Sequence, residues 1–454
     1  MACLSLASVT PAPTSTAPPT AQPRATPGDL LAAWEPRRPL AVLWSGDAAA
    51  PSRWTILAEP GETVRVVHGS GRDALIALFD RVCASTRRAA PAAGACPFTG
   101  GWIGWIGYDA GRVLEPAAGR HGTPAATSHA AALAEFHRVD RALIHDRLSG
   151  EWHALGGCTW PTGDGGERGF HLGPLASRTG EEAYLNAAAR AIEYIRAGDV
   201  YQVNLAHALE GVFKGSPRGL FAQLAMASNP WFGAYLESVH EGTARAIASL
   251  SPEQFIRFDP ATRRLETCPM KGTRPAAAFA ELETSEKERA ELAMIVDLMR
   301  NDLGRVCELG SVRVDTARAI ERHAAGDLLQ ATAQITGRLT PGRSLADALA
   351  QMLPGGSITG APKIRAMQII DELEPEPRGA YCGCIGYVSD SGHAAFNIAI
   401  RTAIIRGAPT PAGIDGRLSY SVGAGIVADS QPRLEWQETL HKAGILSGIT
   451  TLPR

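Results

Sequence analysis

The stretch TSEKERAELAMIVDLMRNDLGRV, residues 284–306, constrains the chain more than any other. Leu292, Ile295, Val296, Met299 and Leu303 recur at helical spacing, and either Thr284 or Ser285 can cap the start. A helix carrying such a stripe must lie on a core. In helical projection Glu288 falls within the apolar stripe and Glu291 at its edge. A carboxylate facing a core is costly unless it is paired, protonated or metal-bound. The helix therefore either delivers its acids to a site or keeps them in a solvated first turn, which the helix dipole favours.

A second E-x-x-E stands at Glu435 and Glu438 in DSQPRLEWQETLHKAG, where Asp429 or Ser430 can cap and Pro432 suits the first turn. Glu435, Glu438 and Lys442 follow at i, i+3 and i+7, so one face presents two carboxylates and an ammonium. Two such helices facing each other would offer oxygen ligands to Mg²⁺, which keeps waters and bridges to an anionic substrate. The plainer reading is surface pairing of Glu438 with Lys442.

Five further stretches carry polar groups in suggestive places. PGGSITGAPKIRAMQIIDELE, 354–374, is a glycine-rich loop entering a helix, where free N–H groups with Ser357, Thr359 and Lys363 would suit an anion; the Walker and dinucleotide spacings are absent. CPMKGTRP places Lys271 between short apolar runs, either as a solvated charge or, desolvated, as a nucleophile. SLSPEQF puts Glu253 after Pro252, as a turn residue or a general acid. FNIAIRT is a buried-strand pattern ending in Arg401, whose planar fork could clamp a carboxylate, and SVGAGIVADS brings the backbone of Gly423 and Gly425 close to such a ligand.

Composition narrows the partners. Across 454 residues, 44 Lys and Arg stand against 46 Asp and Glu with no dense basic run, which argues against nucleic acid. The eight cysteines are scattered, without C-x-x-C pairs or the density of a disulfide scaffold, which points to a reducing cytoplasm. No apolar run is long enough to span a bilayer. Residues 1–28 read as a disordered Ala/Pro/Thr-rich tail, with an organelle transit peptide as the alternative.

Residues 29–150 form an N-terminal region of short apolar runs: LAVLW at 40–44, WTILAE at 54–59 and TVRVVHG at 63–69 as strands, then a helix from Asp73. GGWIGWIGYDAGR, 100–112, suits a buried strand closely approached by another backbone. Residues 117–134 say little, and the turn-rich 157–168 marks a boundary. From Ser177 to the C-terminus, 177–454, helices and strands alternate closely, and nearly every polar residue of interest lies there.

SLSPEQF, PMKGT, MIVDLMRNDLGRV, PGGSITGAPKIRAMQIIDELEP, YCGCIGYVSDSG, NIAIRT and GAGIVADSQPRLEWQET occur in the order seen in the chorismate-utilising enzymes, a family the chain resembles continuously from about Ser177 to Ile449. Its members include anthranilate synthase large subunits, aminodeoxychorismate synthase component I, isochorismate synthases and salicylate synthases. The resemblance implies an α+β sandwich, two packed antiparallel β-sheets with helices on the outside, and an active site in the C-terminal region. It implies that Glu291 and Glu438 coordinate Mg²⁺, with Glu288 and Glu435 supporting. Lys442 and the backbone of Gly423 and Gly425 would help hold the ring carboxylate, with Thr359 in the substrate-binding loop. Arg401 and Tyr387 would bind the enolpyruvyl carboxylate, and Glu253 would protonate the departing 4-hydroxyl.

Within the family, Lys271 resembles the aminodeoxychorismate synthases, where lysine is thought to attack C2 before ammonia adds at C4; anthranilate synthases normally carry alanine here. Gln202 stands where water-using members carry a lysine base, which implies ammonia as the nucleophile. Gln330 replaces a frequent histidine and Ala395 a frequent aspartate. No glutaminase motif is present, so ammonia would come from a separate glutamine amidotransferase subunit. The expected reaction is Mg²⁺-dependent 4-amination of chorismate for 4-aminobenzoate and folate synthesis, with anthranilate formation as the alternative.

Overall fold

The computed structural model describes residues 25–46, 52–84, 94–119, 132–163, 168–323 and 328–450. Most of the expected tail lies outside these residues. Its end does not: Thr26 and Asp29 form a capping box at the head of the helix Pro27–Ala33, whose Leu30 and Leu31 are buried. Parts of the 117–134 and 157–168 stretches also fall outside.

The strands form one antiparallel ladder. Its order is Leu328–Arg338, Arg264–Cys268, Gln254–Asp259, Ala394–Ile398, Cys384–Ser389, Gly101–Ile106, Ala132–Asp146. It continues through Trp54–Val67, Ala41–Trp44, Phe232–His240, Thr243–Ser251, Thr402–Thr410, Gly413–Ile426 and Gln202–Gly215. Met270–Pro275 and Arg313–His323 both pair with Leu328–Arg338. The N-terminal region and the chemistry-bearing region thus share their hydrogen bonds: Ala41–Trp44 pairs with Phe232–His240, and Gly101–Ile106 with Cys384–Ser389.

The ladder folds over at the ribbon of Trp54–Val67 and Ala132–Asp146. WTILAE and TVRVVHG, expected as separate strands, are one strand whose register slips between Glu59 and Thr63. Such bulges bend a strand without ending it. The two halves of the ladder consequently face each other across a core in which Ile56, Ala234, Leu236 and Ile247 meet Ile103, Trp105 and Ile385.

Helices cover the outer faces. Pro217–Ser228 packs Leu220 and Phe221 against Tyr235 and Leu250. Gly71–Cys83, Glu286–Gly304 and Lys363–Leu373 share the core on the other side. The expected α+β sandwich, antiparallel sheets inside and helices outside, is what the chain forms. Among the described residues, no helix is long and apolar enough to cross a membrane.

The two acidic helices are placed by their apolar residues. Ser285 caps Glu286–Gly304 by accepting from the Glu288 N–H at 3.2 Å, and Leu292, Ile295, Val296, Met299 and Leu303 are all buried. Pro432–Lys442 begins with Pro432, but the cap position is Gln431; Ser430 instead donates to Glu435 at 2.7 Å. Trp436 anchors that helix, stacking on His207 at 4.4 Å, while His207 Nε2 and the Thr439 hydroxyl lie 2.8 Å apart.

Candidate active site

Glu253 sits on the short turn between Thr243–Ser251 and Gln254–Asp259. The Ser251 hydroxyl accepts from the Glu253 N–H at 3.2 Å and donates to the Ile398 carbonyl at 2.6 Å, which fixes the turn. The Glu253 carboxyl is buried, 5 % exposed, and accepts from the Ser357 hydroxyl at 2.7 Å. Burial pushes its pKa up to about 7, with the Ser357 hydroxyl and the Lys271 ammonium pulling partly back. A carboxyl that is half protonated near neutrality can donate a proton to a leaving group.

Lys271 reaches the same space from the strand Met270–Pro275. Its Nζ lies 3.7 Å from Glu291 Oε2 of the acidic helix, and both side chains are largely covered, 19 % and 18 % exposed. It also lies 3.3 Å from the point where a Cβ on Gly425 would stand, and Gln202 Nε2 lies 2.8 Å from that point. Any larger residue at 425 would displace both polar groups, so the glycine keeps the floor of the cleft open. Gln330 is buried on the neighbouring strand, opposite Thr273.

Lys442 approaches Gly423 from the opposite helix. Its Nζ donates to the Gly423 carbonyl at 2.8 Å and pairs with Glu438 Oε1 at 2.8 Å. The structure thus joins both E-x-x-E segments to the Gly423–Gly425 stretch through lysines. Glu288 packs against Gly272, its Oε2 2.9 Å from where a Cβ there would stand, and Glu435 is buried with Ser430. Among the described residues, no three His, Cys, Asp or Glu side chains converge as a ready cage. Glu291 and Glu438, the carboxylates expected to hold Mg²⁺, each have a lysine ammonium as counterion here, at 3.7 and 2.8 Å.

Other expected residues are placed differently. Arg401 leaves its strand with a left-handed φ of +51°, and burial pulls its pKa below the usual guanidinium value, with Tyr420 as the neighbouring phenol. Tyr387 does not join it. Cys384 pairs with Ile398 and Tyr387 with Ala395, so Tyr387 lies three residues back from the strand end beyond which Arg401 sits, roughly 10 Å at strand rise. Its ring faces the core between the sheets, edge-on to Phe98 at 5.4 Å. Alternation along a strand dictates this: Cys384 and Val388 take the helix-facing side, Ile385 and Tyr387 the other.

The glycine loop keeps its own polar groups. The Thr359 hydroxyl is in reach of the carbonyls of Gly355 at 3.0 Å and Gly356 at 3.1 Å, so it serves the loop. Lys363, expected to face an anion, is buried and pairs with Asp302 at 2.6 Å while donating to the Met352 carbonyl at 3.1 Å. Ser357 is the loop residue that reaches the site, through Glu253.

Comparison with known proteins identifies the family. The family profile of chorismate binding enzymes matches residues 41–448. The chain belongs to the chorismate-binding enzymes. Anthranilate synthase component 1 of Streptomyces coelicolor is 36% identical over 414 residues, 82% of this chain and 76% of that protein. Aminodeoxychorismate synthase component 1 of Escherichia coli is 45% identical over 258 residues, 55% of this chain and 53% of that protein. The crystal structure of anthranilate synthase component I from Streptococcus pneumoniae superposes with a TM-score of 0.71 at 28% identity, covering 87% of this chain and 92% of the other. This chorismate-binding enzyme is therefore a chorismate-utilising member of the anthranilate synthase I and aminodeoxychorismate synthase group.

Sequence reasoning missed Asn204, whose side chain shares the cleft-facing side of its strand with Gln202. The signal was available: the two residues are two positions apart on a strand.

Proposed function

We propose that the chain aminates chorismate at C4, giving 4-amino-4-deoxychorismate. The observation that carries this reading is Lys271, whose Nζ is held in the cleft 3.7 Å from Glu291 and near the buried acid Glu253. Once its ammonium has given a proton to solvent, the Lys271 amine attacks C2, the two conjugated ring double bonds shift and the C4–O bond breaks, and Glu253 gives its proton to the leaving hydroxyl, which departs as water. Ammonia then adds at C4, the double bonds return, and the lysine is expelled with its electron pair. Arg401 binds a substrate carboxylate as a partly buried cation. Glu291 and Glu438, with Glu288 and Glu435 behind them, would hold Mg²⁺, which when bound neutralises and orients a carboxylate.

Ammonia comes from a separate glutamine amidotransferase. Burial pushes the thiols of Cys96, Cys158, Cys268, Cys307 and Cys382 up to about 12, so none of these is an activated nucleophile for releasing it from glutamine. The second reading is anthranilate synthase component I, favoured by the long match to the Streptomyces coelicolor protein and the Streptococcus pneumoniae structure. Incubation with chorismate, Mg²⁺ and ammonium, with and without an aminodeoxychorismate lyase, separates the two. Lyase-dependent 4-aminobenzoate is expected, and anthranilate fluorescence overturns the proposal.

A further inference from the structure

Two buried side-chain carbonyl oxygens on one strand, Gln202 Oε1 and Asn204 Oδ1, have no hydrogen-bond partner among the described residues. Buried acceptors are nearly always satisfied, so an orphan beside a reaction centre calls for a ligand that donates. The two residues are i and i+2 on Gln202–Gly215 and therefore share a face, whereas Val203 and Leu205 turn the other way into the core. Their face is the one that carries Gly425, paired with Asn204, and Gly423, paired with Ala206. Asn204 Oδ1 lies 2.8 Å from where a Cβ on Gly423 would stand, and Lys271 Nζ overlooks Gly425.

The backbone of Asn204 is pinned on both sides. Its N–H donates to the Thr359 carbonyl at 2.7 Å, and its carbonyl accepts from Arg378 Nη2 at 2.8 Å. Arg378 is itself clamped by both oxygens of Glu374, at 2.6 and 2.8 Å. The peptide is thus held rigidly while the amide at the end of the side chain is left over, an arrangement of the kind that pre-organises a binding group.

We propose that Asn204, together with Gln202, seats the nitrogen nucleophile, and that Asn204 is a specificity-determining residue for ammonia. Ammonia has three N–H bonds and one lone pair. Two carbonyl acceptors occupy two of those bonds and leave the lone pair pointing away from them, toward the substrate. Neither amide can remove a proton, so water seated in the same place gains no activation, while ammonia attacks unassisted. The inference rests on amination as the reaction, yet it does not depend on which ring carbon is aminated.

The test uses the full chain, saturating chorismate and Mg²⁺, and ammonium chloride as the varied substrate. Asn204→Leu and Asn204→Ala are expected to raise KM for ammonium roughly five- to tenfold, the worth of one hydrogen bond to a buried acceptor. KM for chorismate should stay within about twofold, because the pinned backbone does not move. Asn204→Asp keeps an oxygen acceptor and should restore KM for ammonium toward the parent value. An unchanged KM for ammonium in the Leu and Ala variants overturns the proposal. So does a parallel rise in both KM values, which marks a merely structural role. Two variants guard against a single misfolded one, with thermal unfolding of each as the control. If the product proves to be anthranilate, the 4-amination reading falls while the ammonium KM still decides the seat.

Discussion

The two lysine–glutamate pairs flanking Gly423–Gly425 are alike in composition and unlike in setting. Lys442 and Glu438 lie one helical turn apart at 2.8 Å, with side chains 45 % and 54 % exposed. Lys271 and Glu291 come from a strand and a helix, stand 3.7 Å apart, and are each less than one-fifth exposed. The shorter contact is the less informative one. An i, i+4 pair forms on any solvated helix, whereas the longer contact exists only because the sheet brings Met270–Pro275 beneath Glu286–Gly304. Lys271 alone also touches the electrostatics of the buried acid Glu253.

The sharpest way to break this comparison is to remove each lysine in turn. Lys271→Ala should abolish formation of aminodeoxychorismate, exceeding the roughly 10²–10⁴-fold typical of losing a general acid, because the covalent route itself disappears. Lys442→Ala should cost only a few-fold, mostly in KM for chorismate. Product analysis by chromatography measures both. Retained activity with anthranilate as product in Lys271→Ala would leave Lys271 without a catalytic role and favour the alternative reading.

Glu253 comes next. Glu253→Gln should lower kcat by about 10²–10⁴-fold. In the parent the acid form is needed, and with a pKa raised to about 7 it is present below that pH, so activity should fall as pH rises through 7. The Ser357 hydroxyl donates to the carboxylate and so favours the charged form. Ser357→Ala should therefore move the falling limb to higher pH. A limb that stays in place, or moves down, would show that Glu253 does not set the profile.

A smaller effect concerns Mg²⁺. In this structure each lysine serves as counterion to a glutamate proposed to bind the cation, so binding exchanges one positive charge for another. Titration calorimetry of the full chain with Mg²⁺ alone should show tighter binding in Lys271→Met, by more than in Lys442→Met, because solvent screens the exposed pair. Glu291→Gln should weaken it. Equal effects of the two lysine substitutions would erase the distinction between the pairs.

Much of this was legible in the sequence, for reasons that differ residue by residue. The acidic helix followed from its apolar period and Ser285, both local signals. The α+β class and the group of enzymes followed from motif order. Partners distant in sequence were not legible: nothing around Lys363 announces that Asp302 will take its charge, nor does SITGAP announce that Ser357 will serve Glu253. Tyr387 was misplaced because strand alternation fixes a face only once the strand ends are known. Pro60 and Gly61 look like a turn, and only the pairing with Ala132–Asp146 shows them to be a bulge.

The smallest expected effect is on stability, and it returns to the exposed pair. Charge-to-neutral substitution of Lys442 should lower the unfolding free energy by only about 0.3–0.5 kcal/mol, the usual worth of an i, i+4 ion pair, and less at high salt. What holds Pro432–Lys442 in place is the contact of Trp436 and Thr439 with His207. Burial lowers the His207 pKa to about 4, below the ordinary value near 6.5, so the unfolded chain binds this proton more readily. Stability from His207 is thus fully present above about 6.5 and is lost as pH falls toward 4. Denaturant unfolding of Lys442→Ala and His207→Gln across this range measures both. The first should track the parent at every pH, whereas the second should flatten the acid side of the curve. If Lys442→Ala instead destabilises by more than about 1 kcal/mol, the exposed pair is structural after all, and its contrast with Lys271–Glu291 is one of position alone.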